Sequence, residues 1–217
     1  MFVITADQVD SRTHEDLAGA ARARINRDHG SSLLLPADRN AGDEIQMLTD
    51  DAATALQLAL ELTRDGDWSV GLGLGDVRRP LPAATREASG GAFFAARNAV
   101  DNAKKARTRF ALRAEGVADC VVNASDVEAL IDLVMILRAR RTPAGWELYD
   151  LLRTGITQQD AATQLSISAP AASARAQAAQ LKAENASIPA LTKLLHDLHR
   201  SLMPPGSESD IETDASA

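Results

Sequence analysis

The residues best suited to chemistry lie in two short acidic motifs. Ile4-Thr5-Ala6-Asp7-Gln8-Val9-Asp10-Ser11 opens the chain, and Gly42-Asp43-Glu44-Ile45-Gln46 follows one helix and one strand later. Each sets a carboxylate at the tip of an expected strand. If the two strands are sheet neighbours, Asp7 and Asp43 reach a common point. Converging carboxylates with little basic charge beside them suit a hard cation such as magnesium and, through it, a nucleotide phosphate. The alternative for the same residues is structural, with Asp7 capping a turn and Asp43 filling a hairpin. Glu44 flanks Asp43 as a supporting acid or a solvated one. Arg12 follows the first strand and meets either a phosphate or water. No Ser-His-Asp or Cys-His set and no phosphate-binding P-loop occurs. His14, His29, His196 and His199 form no metal cluster and read as surface residues.

The elements that position these motifs follow from periodicity. Phe2–Ala6 is a strand. Leu17, Ala20, Ala21 and Ile25 mark a helix that stops near Gly30. Ser32–Leu35 reads as a second strand, residues 36–42 as a turn, and Glu44–Thr49 as a third strand, so that Asp43 sits at a hairpin tip. Asp50 or Asp51 caps a helix carrying Ala55, Leu56, Ala59, Leu60 and Leu62. Trp68–Gly75 is a fourth strand whose Gly71, Gly73 and Gly75 leave one face bare for a packed helix or a ligand. A loop from 78 to 89, a helix from Ala92 to about Lys105, and strands at 108–112 and 119–122 complete the region. Lys104, Lys105, Arg107 and Arg109 read as a solvated helix end. The order β-α-β-β-α-β, then α-β, predicts an α+β fold built on the ferredoxin-like unit.

From residue 125 the pattern is helical. Ser125 with Glu128 reads as a capping box for a long helix, ending in Arg138-Ala139-Arg140-Arg141 as a solvated basic end or a phosphate contact. Thr142-Pro143 opens the next helix. Gly155-Ile156-Thr157-Gln158-Gln159, the turn Leu165-Ser166-Ile167-Ser168 and Ala169-Pro170 then resemble the helix-turn-helix of bacterial regulators, with Ser166 where the turn glycine usually stands. A recognition helix presents its N-terminal side chains to bases. Here these are Ser168, Ser173, Arg175 and Gln177, with Lys182 nearer the DNA backbone. That face is rich in Ala and poor in cations, whereas phosphate neutralisation supplies much of DNA affinity. One copy therefore binds weakly, which argues for a homodimer or for a purely structural use of the motif.

The bulk properties limit the classes further. The 217 residues carry a net charge of −7, which argues against indiscriminate nucleic-acid coating. Residues 138–203 nevertheless hold 8 bases against 5 acids. The lone Cys120 excludes an internal disulfide and reads as a small buried hydrophobe. No apolar run approaches the ~20 residues that span a bilayer, and the opening residues do not form a signal peptide, so a cytoplasmic protein without membrane contact is expected. The expected domains are 1–124, 125–203 and a disordered acidic tail, 204–217.

The strand ending in Asp7, the Gly42-Asp43 hairpin, the glycine-rich fourth strand and Gly90-Gly91-Ala92-Phe93-Phe94-Ala95-Ala96-Arg97 together resemble the class III nucleotide cyclase catalytic domain. That resemblance implies metal ligation by Asp7 and Asp43 and a phosphate role for Arg97. It also sets Phe93 where those enzymes hold a catalytic Asn, so no catalytic residue is assigned. A closer resemblance, over residues 1–122, is to the SatD family of small bacterial proteins, through Val3–Arg12, Gly42–Gln46 and Phe94–Ala99. Ile45 replaces the usual Phe. It implies a cyclase-like nucleotide-binding fold followed by a helix-turn-helix. The expectation is a DNA-binding transcriptional regulator that senses a nucleotide or metal-nucleotide ligand. The alternatives are a magnesium-dependent nucleotidyl-transfer enzyme or a non-catalytic interaction scaffold.

Overall fold

A computed structural model describes residues 1–40, 42–116 and 122–202. The expected strand at 119–122 falls almost wholly outside these residues. The burial of Cys120 and the acidic tail also lie outside them.

The chain divides into two compact units, one formed by Met1–Ala129 with the segment from Thr192, the other by Leu130–Leu191. This division differs from a cut at 124/125. The boundaries fall inside two continuous helices, α4 (Ala124–Ala139) and α8 (Leu181–Ser201), which the local sequence signals do not mark.

The first unit is a mixed α+β arrangement around five strands in the order β2-β3-β1-β4-β5. β1 (Phe2–Gln8) lies at the centre. It pairs antiparallel with β3 (Glu44–Thr49) on one side and with β4 (Trp68–Leu74) on the other. β2 (Leu35–Arg39) pairs antiparallel outside β3, and β5 (Phe110–Ala114) runs parallel to β4. The unbroken apolar run at the start of β1 suits a strand buried on both faces.

The two faces are covered differently. α3 (Gly91–Ala103) lies on the face of Gly71, Gly73 and Gly75. A Cβ at Gly73 would come within 2.2 Å of the Ala92 carbonyl and the Ala96 amide, and one at Gly71 within 2.2 Å of the Val100 amide. The bare face therefore receives a helix. Two strand residues rise about 6.7 Å and four helix residues about 6 Å. Gly75, Gly73 and Gly71 accordingly meet Ala92, Ala96 and Val100 in turn. The other face carries Phe2, Ile4, Ile45, Met47, Leu72 and Leu74, all fully buried, and is covered by α1 (Ala18–His29) and α2 (Ala52–Leu62). On α1, Ala18, Ala21 and Ile25 are buried while Ala20 is exposed.

Three local expectations are corrected. The second strand is Leu35–Arg39 rather than 32–35, so Pro36–Arg39 is strand, not turn. Asn26 of α1 explains it: its side-chain amide donates to the Ala37 carbonyl at 2.9 Å and accepts the Ala37 N–H at 2.7 Å. A side chain thus replaces the missing neighbour on an edge that tolerates Pro36. The cap of α4 is Asn123, whose Oδ1 accepts from the Ser125 and Asp126 amides, with Asp126 accepting the Asn123 N–H in return. Glu128 instead accepts the Leu112 N–H and a guanidinium N–H of Arg113 at 2.7 Å. Finally, His199 is 8 % exposed. Its ring lies 4.9 Å from that of Phe2, and its Nε2 contacts the Met1 amine, which also donates to the Gly75 carbonyl at 3.0 Å. His29 is also partly enclosed, 3.0 Å from Glu61.

The second unit is helical. α5 (Pro143–Arg153) is capped by Thr142, with Pro143 at its first turn. α6 (Gln158–Gln164) and α7 (Ala169–Ala178) follow. Leu148, Ala161, Ala179 and Leu181 form its apolar centre, with Tyr149, Leu152, Ile156 and Leu165 around them. The basic end of α4 is not solvated as expected. Arg138 and Arg141 are buried, each donating to one oxygen of the equally buried Glu184. Their guanidinium carbons lie 4.8 and 4.3 Å from the Trp146 ring centre. Arg140 stays exposed.

Candidate functional site

The β1–β3 register sets Glu44, not Asp43, directly across from Asp7. Paired residues share a sheet face. Asp7, Thr5, Glu44 and Gln46 therefore stand on the α3 face with Gly71 and Gly73, whose register partners are Thr5 and Val3. Asp43 lies one step further, in the turn, where its carbonyl accepts the Gln8 N–H at 3.3 Å. Continued alternation sets it level with Gln8. The Gln8 side chain turns the other way, to the Glu15 carbonyl and the Leu17 N–H at 2.6 and 2.9 Å.

The partner of Asp7 is a lysine. Lys104, at the end of α3, places its Nζ 2.9 Å from the Asp7 carboxylate and 3.9 Å from Asp101. Lys104 is exposed, as expected of the helix end, but the expectation of little basic charge near Asp7 is corrected. Burial lowers the lysine's proton affinity. The hydrogen bond to Asp7 and the charges of Asp7, Asp101 and Glu44 outweigh it and raise the group above its usual 10.5. The Glu44 carboxylate accepts from the side-chain amides of Asn40 at 2.8 Å and Gln46 at 3.2 Å. The corner is thus a polar row on one sheet face, closed by a cation from the helix above.

The remaining predicted residues are dispersed. Arg12 is exposed in the turn after β1. Arg97 is exposed two helical turns before Lys104, about 10 Å along the axis of α3. Phe93 packs on the apolar cluster of Val3, Leu48, Ala92 and Ala96, so that position serves packing and offers no hydrogen-bond donor. An open cleft of about 280 Å³ lies near the end of β1 on the Gln8 side, lined by Gln8, Asp10, His14, Glu15, Gly66 and Asp67. Asp7 and Asp43 are not in its lining.

A magnesium ion requires near-octahedral oxygen coordination at about 2.0–2.1 Å. With Lys104 on Asp7 the residues do not fit one. Among the described residues no group of three His, Cys, Asp or Glu side chains is arranged to hold a metal.

Lys104 has a signal in the sequence. Extending the four-residue helix step against the two-residue strand step carries Gly71–Val100 on to Ser69–Lys104. Ser69 is the register partner of Asp7.

In the helical unit, Thr157 caps α6 in a reciprocal box with Asp160. Ser166 adopts φ 54° in the turn, the left-handed conformation that explains why glycine is usual there. Ser168 caps α7 ahead of Pro170 by accepting the Ala171 N–H at 3.3 Å. Ser173, Gln177 and Lys182 are exposed. Arg175 is half-buried and 3.7 Å from Glu147 of α5. No protein family, curated protein or solved structure matches the chain. Among the described residues no helix is long and apolar enough to cross a membrane.

Proposed function

We propose that the protein is a DNA-binding regulator that reads DNA through α6 and α7, with the sheet unit as its ligand-responsive part. The observation that carries this reading is the tight α6–turn–α7 pair. Both helices have side-chain N-caps, a left-handed residue joins them, and Ser173 and Gln177 are exposed on the second helix. That supports a helix-turn-helix whose α7 enters the major groove. The outward cations are few, with Lys182 the nearest to α7 in sequence, so affinity per copy is low and its salt dependence shallow.

For the sheet unit, the order β2-β3-β1-β4 with alternating directions supports the ferredoxin-like reading, and with it the cyclase-like and SatD-like resemblance. In this reading a nucleotide phosphate draws Lys104 away from Asp7, so lysine and phosphate pair first.

Fluorescence anisotropy of the full chain on a mixed-sequence duplex tests the DNA reading. We expect binding at roughly 50 mM salt that weakens by 200 mM. Lys182→Glu lowers it for every sequence, and Gln177→Ala lowers it for the preferred one. No binding at low salt, or binding indifferent to both substitutions, removes the reading. Addition of nucleoside triphosphates with and without magnesium, followed by thermal shift, tests the ligand role. A shift abolished by Lys104→Met supports it, and no shift with any of them ends it.

A further inference from the structure

We infer that the outer face of α4 pairs with the same face of a second copy of this chain, antiparallel and centred on Leu133. One side of α4 is buried through Val127, Ile131, Val134, Met135 and Arg138. The other leaves Leu130, Leu133 and Ile136 exposed at 41, 62 and 37 %, with Leu137 half-buried beside them. Three large apolar side chains along one helix form a contiguous patch, the kind of surface that marks an interface. Asp126, Leu130, Leu133, Leu137 and Arg140 follow at steps of four, three, four and three, the spacing of a coiled-coil seam. All lie on one unbroken helix or the residue just after it, so helix geometry alone fixes their spacing.

The charges identify the occupant. Asp126 and Arg140 are both exposed, and each stands seven residues from Leu133. In an antiparallel pair centred there, Leu133 meets Leu133 of the partner subunit, Leu130 meets Ile136 of the partner subunit, and Asp126 meets Arg140 of the partner subunit. Every contact is apolar on apolar or acid on base; Leu133 meets its own copy on the two-fold axis, and the other contacts each occur twice, as a two-fold interface requires. A parallel pair would instead set like charges against each other at both ends. The complementarity is with the helix itself, so a second copy fits the face. The patch is small for a stable interface, so association is concentration-dependent. The inference does not rest on the DNA reading.

Disulfide trapping tests it. In a chain carrying Cys120→Ser, Leu133→Cys should give a covalent dimer as the main product of mild oxidation at roughly 100 μM. Asp126→Cys and Arg140→Cys should each give little alone and a dimer when mixed. In sedimentation, Leu133→Asp should shift the protein to monomer with its helix content unchanged. Arg140→Glu should weaken pairing several-fold, and adding Asp126→Lys should restore it. A wild-type monomer at that concentration overturns the inference and leaves the face to another partner or to this chain's own last residues. So does self-trapping at 126 as efficient as at 133, or a dimer that survives Leu133→Asp.

Discussion

The face of the sheet under α3 is closed by deleting side chains, whereas the helical unit is closed around charge. At Gly71 and Gly73 the strand backbone meets the backbone of α3 directly, and Ala92, Ala96 and Val100 fill what remains. In the other unit two guanidiniums, 5 and 0 % exposed, converge on one carboxylate at 2 %. The first arrangement tolerates no added atom. The second tolerates no charge removed without its partners. Dense packing and buried polarity therefore fail in opposite directions, and substitutions can separate them.

The largest effect is expected at Gly73→Val. Its Cβ alone would overlap Ala92 and Ala96 backbone atoms that belong to a helix and cannot swing aside. Overpacking of that kind costs about 3 kcal/mol and more where backbone must move, enough to unfold a marginal domain. Circular dichroism should show loss of the sheet unit's cooperative melting.

Next is Glu184→Gln. It leaves Arg138 and Arg141 buried without that carboxylate, a loss of about 3–5 kcal/mol. Replacing all three by apolar residues of similar volume should recover most of it. A triple variant as unstable as the single one would show that the cluster contributes more than charge balance. Urea denaturation midpoints measure both.

The packing was more legible in the sequence than the polar contacts. Alternating glycines called for a close neighbour, and the helix after Gly90-Gly91 supplied it. The cap at Asp51 and the start at Thr142-Pro143 follow from local residue types, whereas Ser168, read as a base contact, caps α7. The shift of β2 was not legible, because Asn26 sits on another element and its bonds to Ala37 depend on tertiary placement. The burial of Arg138 and Arg141 depends likewise on Glu184, more than forty residues away. At the candidate site the strand tips were legible, but which acid faces Asp7 was decided by a one-residue register that flips every side chain.

A smaller effect comes from His199. Burial, then the neighbouring N-terminal amine and His196, push it down from 6.5 to about 4. Between those values the unfolded chain binds a proton that the folded chain refuses. Stability of the sheet unit therefore rises with pH through that window and is lost as pH falls through it. Melting temperatures at pH 4.5 and pH 7 should differ in wild type, and His199→Gln should narrow the gap. An unchanged gap would assign the pH dependence to other groups.

The smallest effect on stability, and the most informative about function, is expected at Lys104→Met. The lysine side chain is 41 % exposed, and a pair so placed contributes about 0–1 kcal/mol, so folding should barely change. The corner instead loses its cation and becomes more negative. Asp7 and Glu44, across from each other on one face, would then lack the cation that balances them. If lysine stands in for a metal, magnesium should now raise the melting temperature of Lys104→Met while leaving wild type unmoved, and adding Asp7→Asn should abolish the gain. If magnesium shifts neither protein, the pair is structural, and the ligand response has to be sought in the cleft beside Gln8, on the face that Asp7 does not share.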